Sequence, residues 1–189
     1  MKQTDNSYID EKIGLRLEVL NLIKKKKVNI LECYSGKGVL WDSVKNKTDK
    51  EISILKIDQK RISESGILIG DNRKYLKCLD LSKYDIIDLD AYGIPFEQLE
   101  IIFKKDYVGY IICTMIQTGM GNLNNGLLAI LGFDKKIISQ CRVFLSRIAL
   151  EILCKYLYIR GIQNITGYFI ERKRYFYFKK EGLKNVSNL

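Results

Sequence analysis

A chain of 189 residues, 47% hydrophobic and 29% charged, is long enough for one α/β domain with a sizeable core and too short for two ordinary ones. It has no histidine, which excludes Ser-His-Asp and Cys-His catalysis and argues against a transition-metal centre, so no metal ligand is assigned. The net charge of +10 points to a polyanionic partner through counterion release, with a plain lysine-rich solvated surface as the alternative.

Taken in order, residues 7–27 place Ile9, Ile13, Leu17, Leu20 and Ile23 on one helical face. Asp10 and Glu11 open this segment and four lysines close it, as the helix dipole favours. Residues 28–33 form a short apolar run that ends on Glu32 and turns through Ser35, Gly36 and Gly38 into a helix over 39–45. The glycines allow a tight turn with positive φ and a close approach of ligand to backbone. A second strand, 52–57, ends on Asp58, about twenty residues beyond Gly38, the spacing at which dinucleotide folds place a carboxylate on a ribose. A third strand over 67–69 leads through Gly70, Asp71 and Asn72 into a helix, with Asp71 or Asn72 suited to cap it.

The fourth strand, 84–90, carries Asp88 and Asp90 on one face and runs into Ala91-Tyr92-Gly93-Ile94-Pro95. A helix over 96–105, a fifth strand over 107–114 and a Gly/Asn-bearing region over 117–126 follow. The periodicity then predicts one long helix over 137–160, stopped by Gly161, and a hairpin of strands 164–171 and 174–179. This is one domain, 1–189, in which an N-terminal helical segment (1–27) precedes a core over 28–180. Cys33, Cys78, Cys113, Cys141 and Cys154 read as reduced, mostly buried thiols. No apolar run reaches membrane-spanning length and the N-terminus lacks a signal-peptide core, so a cytoplasmic protein with no membrane partner is expected.

The spacing Glu32-x-x-x-Gly36-x-Gly38 resembles motif I of the class I S-adenosylmethionine-dependent methyltransferases. It differs from the dinucleotide G-x-G-x-x-G fingerprint, because Trp41 holds the third glycine position. The resemblance implies an α/β, Rossmann-like, doubly wound sheet of seven mostly parallel strands with a C-terminal antiparallel hairpin strand and helices on both faces. It also implies S-adenosyl-L-methionine as cofactor, bound by Glu32, Ser35, Gly36, Gly38, Asp58, Asp71, Asn72 and Asp88. In that family the second-strand acid holds the ribose hydroxyls, and the acid after the third strand accepts from the adenine amino group.

Asp90-Ala91-Tyr92-Gly93 is similar to the Asp-Pro-Phe/Tyr-Gly of the tRNA guanine-N2 dimethyltransferases, with Ala91 in place of proline, and the resemblance covers that family's catalytic core only, over residues 8–180. The resemblance makes Asp90, Ala91, Tyr92 and Gly93 the catalytic stretch of an N-methyltransferase of nucleic-acid amino groups. Asp90 and a backbone carbonyl near Ala91 would accept the two N–H bonds of an exocyclic amine and aim its lone pair, while Tyr92 stacks on the base. Substrate contacts are expected from Tyr92, Pro95, Lys135, Lys136, Arg172, Lys173 and Arg174, with RNA favoured over DNA. Alternatives are a DNA adenine or cytosine amino methyltransferase, a small-molecule methyltransferase, and a non-catalytic accessory subunit. A protein partner or homo-oligomer could supply recognition.

Overall fold

In the computed structural model, which describes residues 8–59, 66–91, 93–116, 123–170 and 173–182, one seven-stranded sheet runs through the molecule. The strands are β1 (Lys27–Cys33), β2 (Glu51–Asp58), β3 (Ile67–Ile69), β4 (Ile86–Leu89), β5 (Gly109–Ile116), β6 (Thr166–Ile170) and β7 (Lys173–Lys180). Their spatial order is β3-β2-β1-β4-β5-β7-β6. The first five are mutually parallel, and β7 is antiparallel to both β5 and β6. The order reverses between β1 and β4, and open α/β sheets bind ligands at such a switch point, beyond the carboxyl ends of the strands.

The sheet is buried on both faces, which is why β4 reads as an unbroken buried run. Against one face pack α1 (Ile9–Leu22) and α2 (Val39–Lys45), through Ile13, Leu15, Val19, Leu20, Trp41 and Val44. Against the other lie α3 (Asn72–Cys78), α4 (Phe96–Phe103), α5 (Asn125–Ile130), α6 (Lys135–Gln140), α7 (Arg142–Arg147) and α8 (Ala149–Ile159). No helix among the described residues is long and apolar enough to cross a membrane.

Three expectations need correction. The first helix ends at Leu22, before the lysine run, and has no basic residue in its last turn. Ile23 is extended, and Lys27 already pairs with Glu51 in the β1–β2 ladder, so the sheet takes the chain the dipole pattern assigned to helix. The single helix expected over 137–160 is three helices, broken at Cys141 and Ile148. Of the cysteines only Cys33 and Cys113 are buried; Cys78 and Cys141 are exposed, Cys154 lies between, and all five are free thiols.

The hairpin has its own steric requirement. A Cβ on Gly167 would lie 2.1 Å from the Tyr175 carbonyl oxygen, so only glycine lets β6 lie this close to β7.

Candidate cofactor and acceptor site

The turn from β1 into α2 is built on three left-handed residues at alternate positions, Tyr34 (φ 67°), Gly36 (φ 54°) and Gly38 (φ 69°). Gly36 and Gly38 adopt this region without steric cost. Tyr34 does not, and it is held by its side chain: Gln98 Nε2 on α4 donates to its phenol oxygen, and Asn72 stands beside it. The turn closes on itself through Gly38 N–H to Ser35 O at 2.8 Å. It is tied to β2 by Gly36 N–H, which donates to Asp58 Oδ2 at 2.8 Å. The second-strand acid and the glycine turn therefore meet at one end of the sheet.

Glu32, Lys56 and Asp88 are register partners across β1, β2 and β4, so their side chains share the α1/α2 face. Burial pushes the Glu32 carboxyl up to about 8, with Asp88 reinforcing the rise and Arg16 and Lys56 opposing it. Its Oε2 and the nearby Ser35 Oγ are buried without a hydrogen-bond partner among the described residues.

Asp88 is fully buried and saturated. Arg16 Nε and Nη2 donate to its two oxygens at 2.8 and 2.9 Å, and Trp41 Nε1 donates to Oδ2 at 2.7 Å. Burial raises its pKa, and the guanidinium and the indole N–H resist that rise. The resemblance implies a cofactor contact at Asp88; with no exposed surface and both oxygens engaged, Asp88 is instead an internal anchor for α1 and α2. One α-helical turn from Arg16, Lys12 Nζ donates to both oxygens of Asp90, at 3.0 and 2.8 Å. Burial alone would raise the Asp90 pKa. The charges of Arg16 and Lys12 and the Lys12 hydrogen bonds overcome that and hold it below the usual carboxylate range. Neither Lys12 nor Arg16 was singled out from sequence. The available signal was Arg16 itself, a charge lying between Ile13 and Leu20 in the buried stripe, which requires a buried acid opposite.

The remaining expected residues fall in different places. Asp71 caps α3 by accepting from Arg73 N–H, as the capping reading has it, and the Arg73 guanidinium folds onto the same carboxylate and reaches Glu97. Asn72 is buried beside Tyr34 with neither amide atom in a hydrogen bond of ordinary length. Ala91 is buried, Gly93 takes a positive φ of 108°, and Pro95 is buried at the start of α4. Tyr92 and Arg172 lie outside the described residues. Lys135 and Lys136 are exposed on the first turn of α6. Lys173 and Arg174 are brought to the carboxyl end of the sheet: β7 begins opposite the carboxyl end of β5, with Lys173 paired to Ile116 and Arg174 to Met115.

Known folds share this arrangement. The chain superposes on a SAM-dependent methyltransferase from Archaeoglobus fulgidus with a TM-score of 0.54 and 15% identity, over 91% of this chain and 94% of that one. This is the S-adenosylmethionine-dependent methyltransferase fold. The plantazolicin methyltransferase BamL, solved in complex with SAH, matches the methyltransferase fold here at TM-score 0.56 and 11% identity, over 92% of this chain and 86% of that one. The CurJ carbon methyltransferase matches at 0.57 and 12%, over 91% of this chain and 54% of that one. No protein-family model and no curated protein matches the sequence.

Proposed function

We propose that the chain is an S-adenosylmethionine-dependent methyltransferase whose acceptor is an exocyclic amino group of a nucleic-acid base, with guanine N2 of tRNA as the specific substrate. The observation that carries the cofactor half is the closure of the Gly36 turn onto Asp58 at the switch point of the sheet. The residues present fit the cofactor. Asp58 would hold the ribose hydroxyls, and Asp71 and Asn72, which follow β3, would flank the purine. The partnerless Glu32 Oε2 and Ser35 Oγ offer hydrogen bonds to the polar amino-acid end. When bound, the cofactor supplies an electrophilic methyl group on a sulfonium.

The acceptor half rests on Asp90-Ala91-Tyr92-Gly93 and on the net charge of +10. Asp90 is held ionised beside β1 and β5, so it can accept from an amine once Lys12 yields a lone pair. Orientation is the larger contribution, because a conjugated amine needs its lone pair directed and its proton can leave after transfer. One observation favours a second reading, a non-catalytic binding subunit: Lys12 already engages both Asp90 oxygens.

Transfer of labelled methyl groups from S-adenosylmethionine to bulk tRNA, ribosomal RNA and DNA separates these readings. The proposal expects label in tRNA with the wild type, none with Asp90→Ala, and unchanged cofactor binding by that variant. Label in DNA alone would replace the substrate, and label in no nucleic acid would reject it.

A further inference from the structure

The β6–β7 hairpin emerges at the same end of the sheet as Glu32, Asp58 and Asp90, because β7 starts opposite the last residue of β5. Its tip combines two kinds of side chain. Tyr168 and Phe169 are 40% and 57% exposed on an edge strand, the Tyr168 hydroxyl reaching over Gly14 of α1 and the Phe169 ring turned to the opposite face. Cations are interleaved with the aromatic rings. Arg174 lies 5.6 Å from the Phe169 ring centroid, directly across the ladder from it. Lys173 lies 5.1 Å from the Tyr8 ring, and Lys12 lies 5.6 Å from Tyr175. Tyr168 pairs with Tyr175 on the α1 face, whereas Phe169 shares the opposite face with Arg174, so rings are offered on both sides of the tip.

We infer that this hairpin tip is a docking platform for single-stranded nucleic acid, in which Phe169 and Tyr168 stack on bases while Lys173 and Arg174 meet phosphates. The occupant follows from charge complementarity and ring exposure together. An acidic protein would be met by the cations and would leave the two rings without a planar partner. A base has a π-face whatever its sequence, and its phosphate supplies the anion. The tip and Asp90 lie at the same end of the sheet, so a strand held at the tip would extend toward the acceptor end of the cleft. This inference rests on the nucleic-acid part of the proposed function and gives it a location; it is independent of the cofactor part.

The test is fluorescence anisotropy with labelled 12-nucleotide single-stranded RNA and single-stranded DNA of mixed sequence, over a salt series, on the full chain. A thermal shift with S-adenosylhomocysteine is run on every variant. Wild-type protein is expected to bind with strong salt dependence. Phe169→Ala and Tyr168→Ala should each weaken binding about tenfold. Lys173→Ala should lower the salt slope by about 0.7, the value for one phosphate contact on a single strand. Phe144→Ser, which changes a 61% exposed ring on α7, should leave binding unchanged. An intact S-adenosylhomocysteine shift in each variant shows that the fold survives. Absence of nucleic-acid binding at low salt overturns the inference, as does binding that Phe169→Ala and Tyr168→Ala leave untouched. If the S-adenosylhomocysteine shift persists in either case, the hairpin assignment fails while the cofactor reading stands. Comparing the two oligonucleotides identifies RNA or DNA as the source.

Discussion

Lys12 on α1 grips Asp90 at the tip of β4 through both carboxylate oxygens, and with 13% and 19% of the two side chains exposed the pair is shielded from solvent but reachable from it. An ammonium therefore occupies the position that the proposed mechanism gives to the acceptor amine. For an amine to be accepted there, Lys12 must be displaced.

Lys12→Met frees the carboxylate at a stability cost of about 1.5 to 3 kcal/mol, the usual range for hydrogen bonds to charged groups. The acceptor KM in the methyl-transfer assay should fall, with cofactor affinity unchanged. A raised KM would instead make Lys12 a substrate contact.

The Arg16–Asp88–Trp41 cluster is fully buried, and its two donors should contribute unequally, because the arginine supplies two bonds and the charge while the indole supplies one bond. Arg16→Met leaves a carboxylate stranded in the core and should cost about 3 to 5 kcal/mol. Trp41→Phe removes one donor and leaves the arginine fork, so about 1.5 to 3 kcal/mol is expected. Urea denaturation of the apo protein measures both, and equal losses would contradict the cluster's geometry.

Glu32 makes stability depend on pH. Its folded pKa is about 8 against an ordinary 4.5, so between these values the folded state holds a proton the unfolded chain has released. Stability accordingly falls as pH rises through that window, and the cost is complete above about 8. Glu32→Gln should flatten this part of the profile, so that its stability relative to wild type grows from pH 5 to pH 9. A constant difference across that range would mean that Glu32 is ionised throughout.

Much of this was legible because each signal was local. The apolar run ending on Glu32, the two glycines and Asp58 encode a strand, a turn and a second strand end within about thirty residues, and all stand where their spacing put them. The long C-terminal helix misled for a definable reason. Two six-residue helices are each followed by one linking residue, so the seven-residue spacing of Ile138, Leu145 and Ile152 crosses both breaks without changing face. The Arg16–Asp88 and Lys12–Asp90 pairs span more than seventy residues of chain, so nothing in the neighbourhood of either partner names the other. Tyr34 was missed because a left-handed non-glycine residue is invisible until its partner, Gln98, is placed on α4.

The central claim is that the β1–α2 turn and the tip of β2 form one cofactor site, and isothermal titration of S-adenosylhomocysteine into wild type and Asp58→Ala tests it most directly. Saturable one-to-one binding that weakens about a hundredfold in the variant, as the loss of two charge-assisted hydrogen bonds requires, is the predicted result. Heat signals indistinguishable from dilution in the wild type, or equal affinity in both proteins, would contradict it.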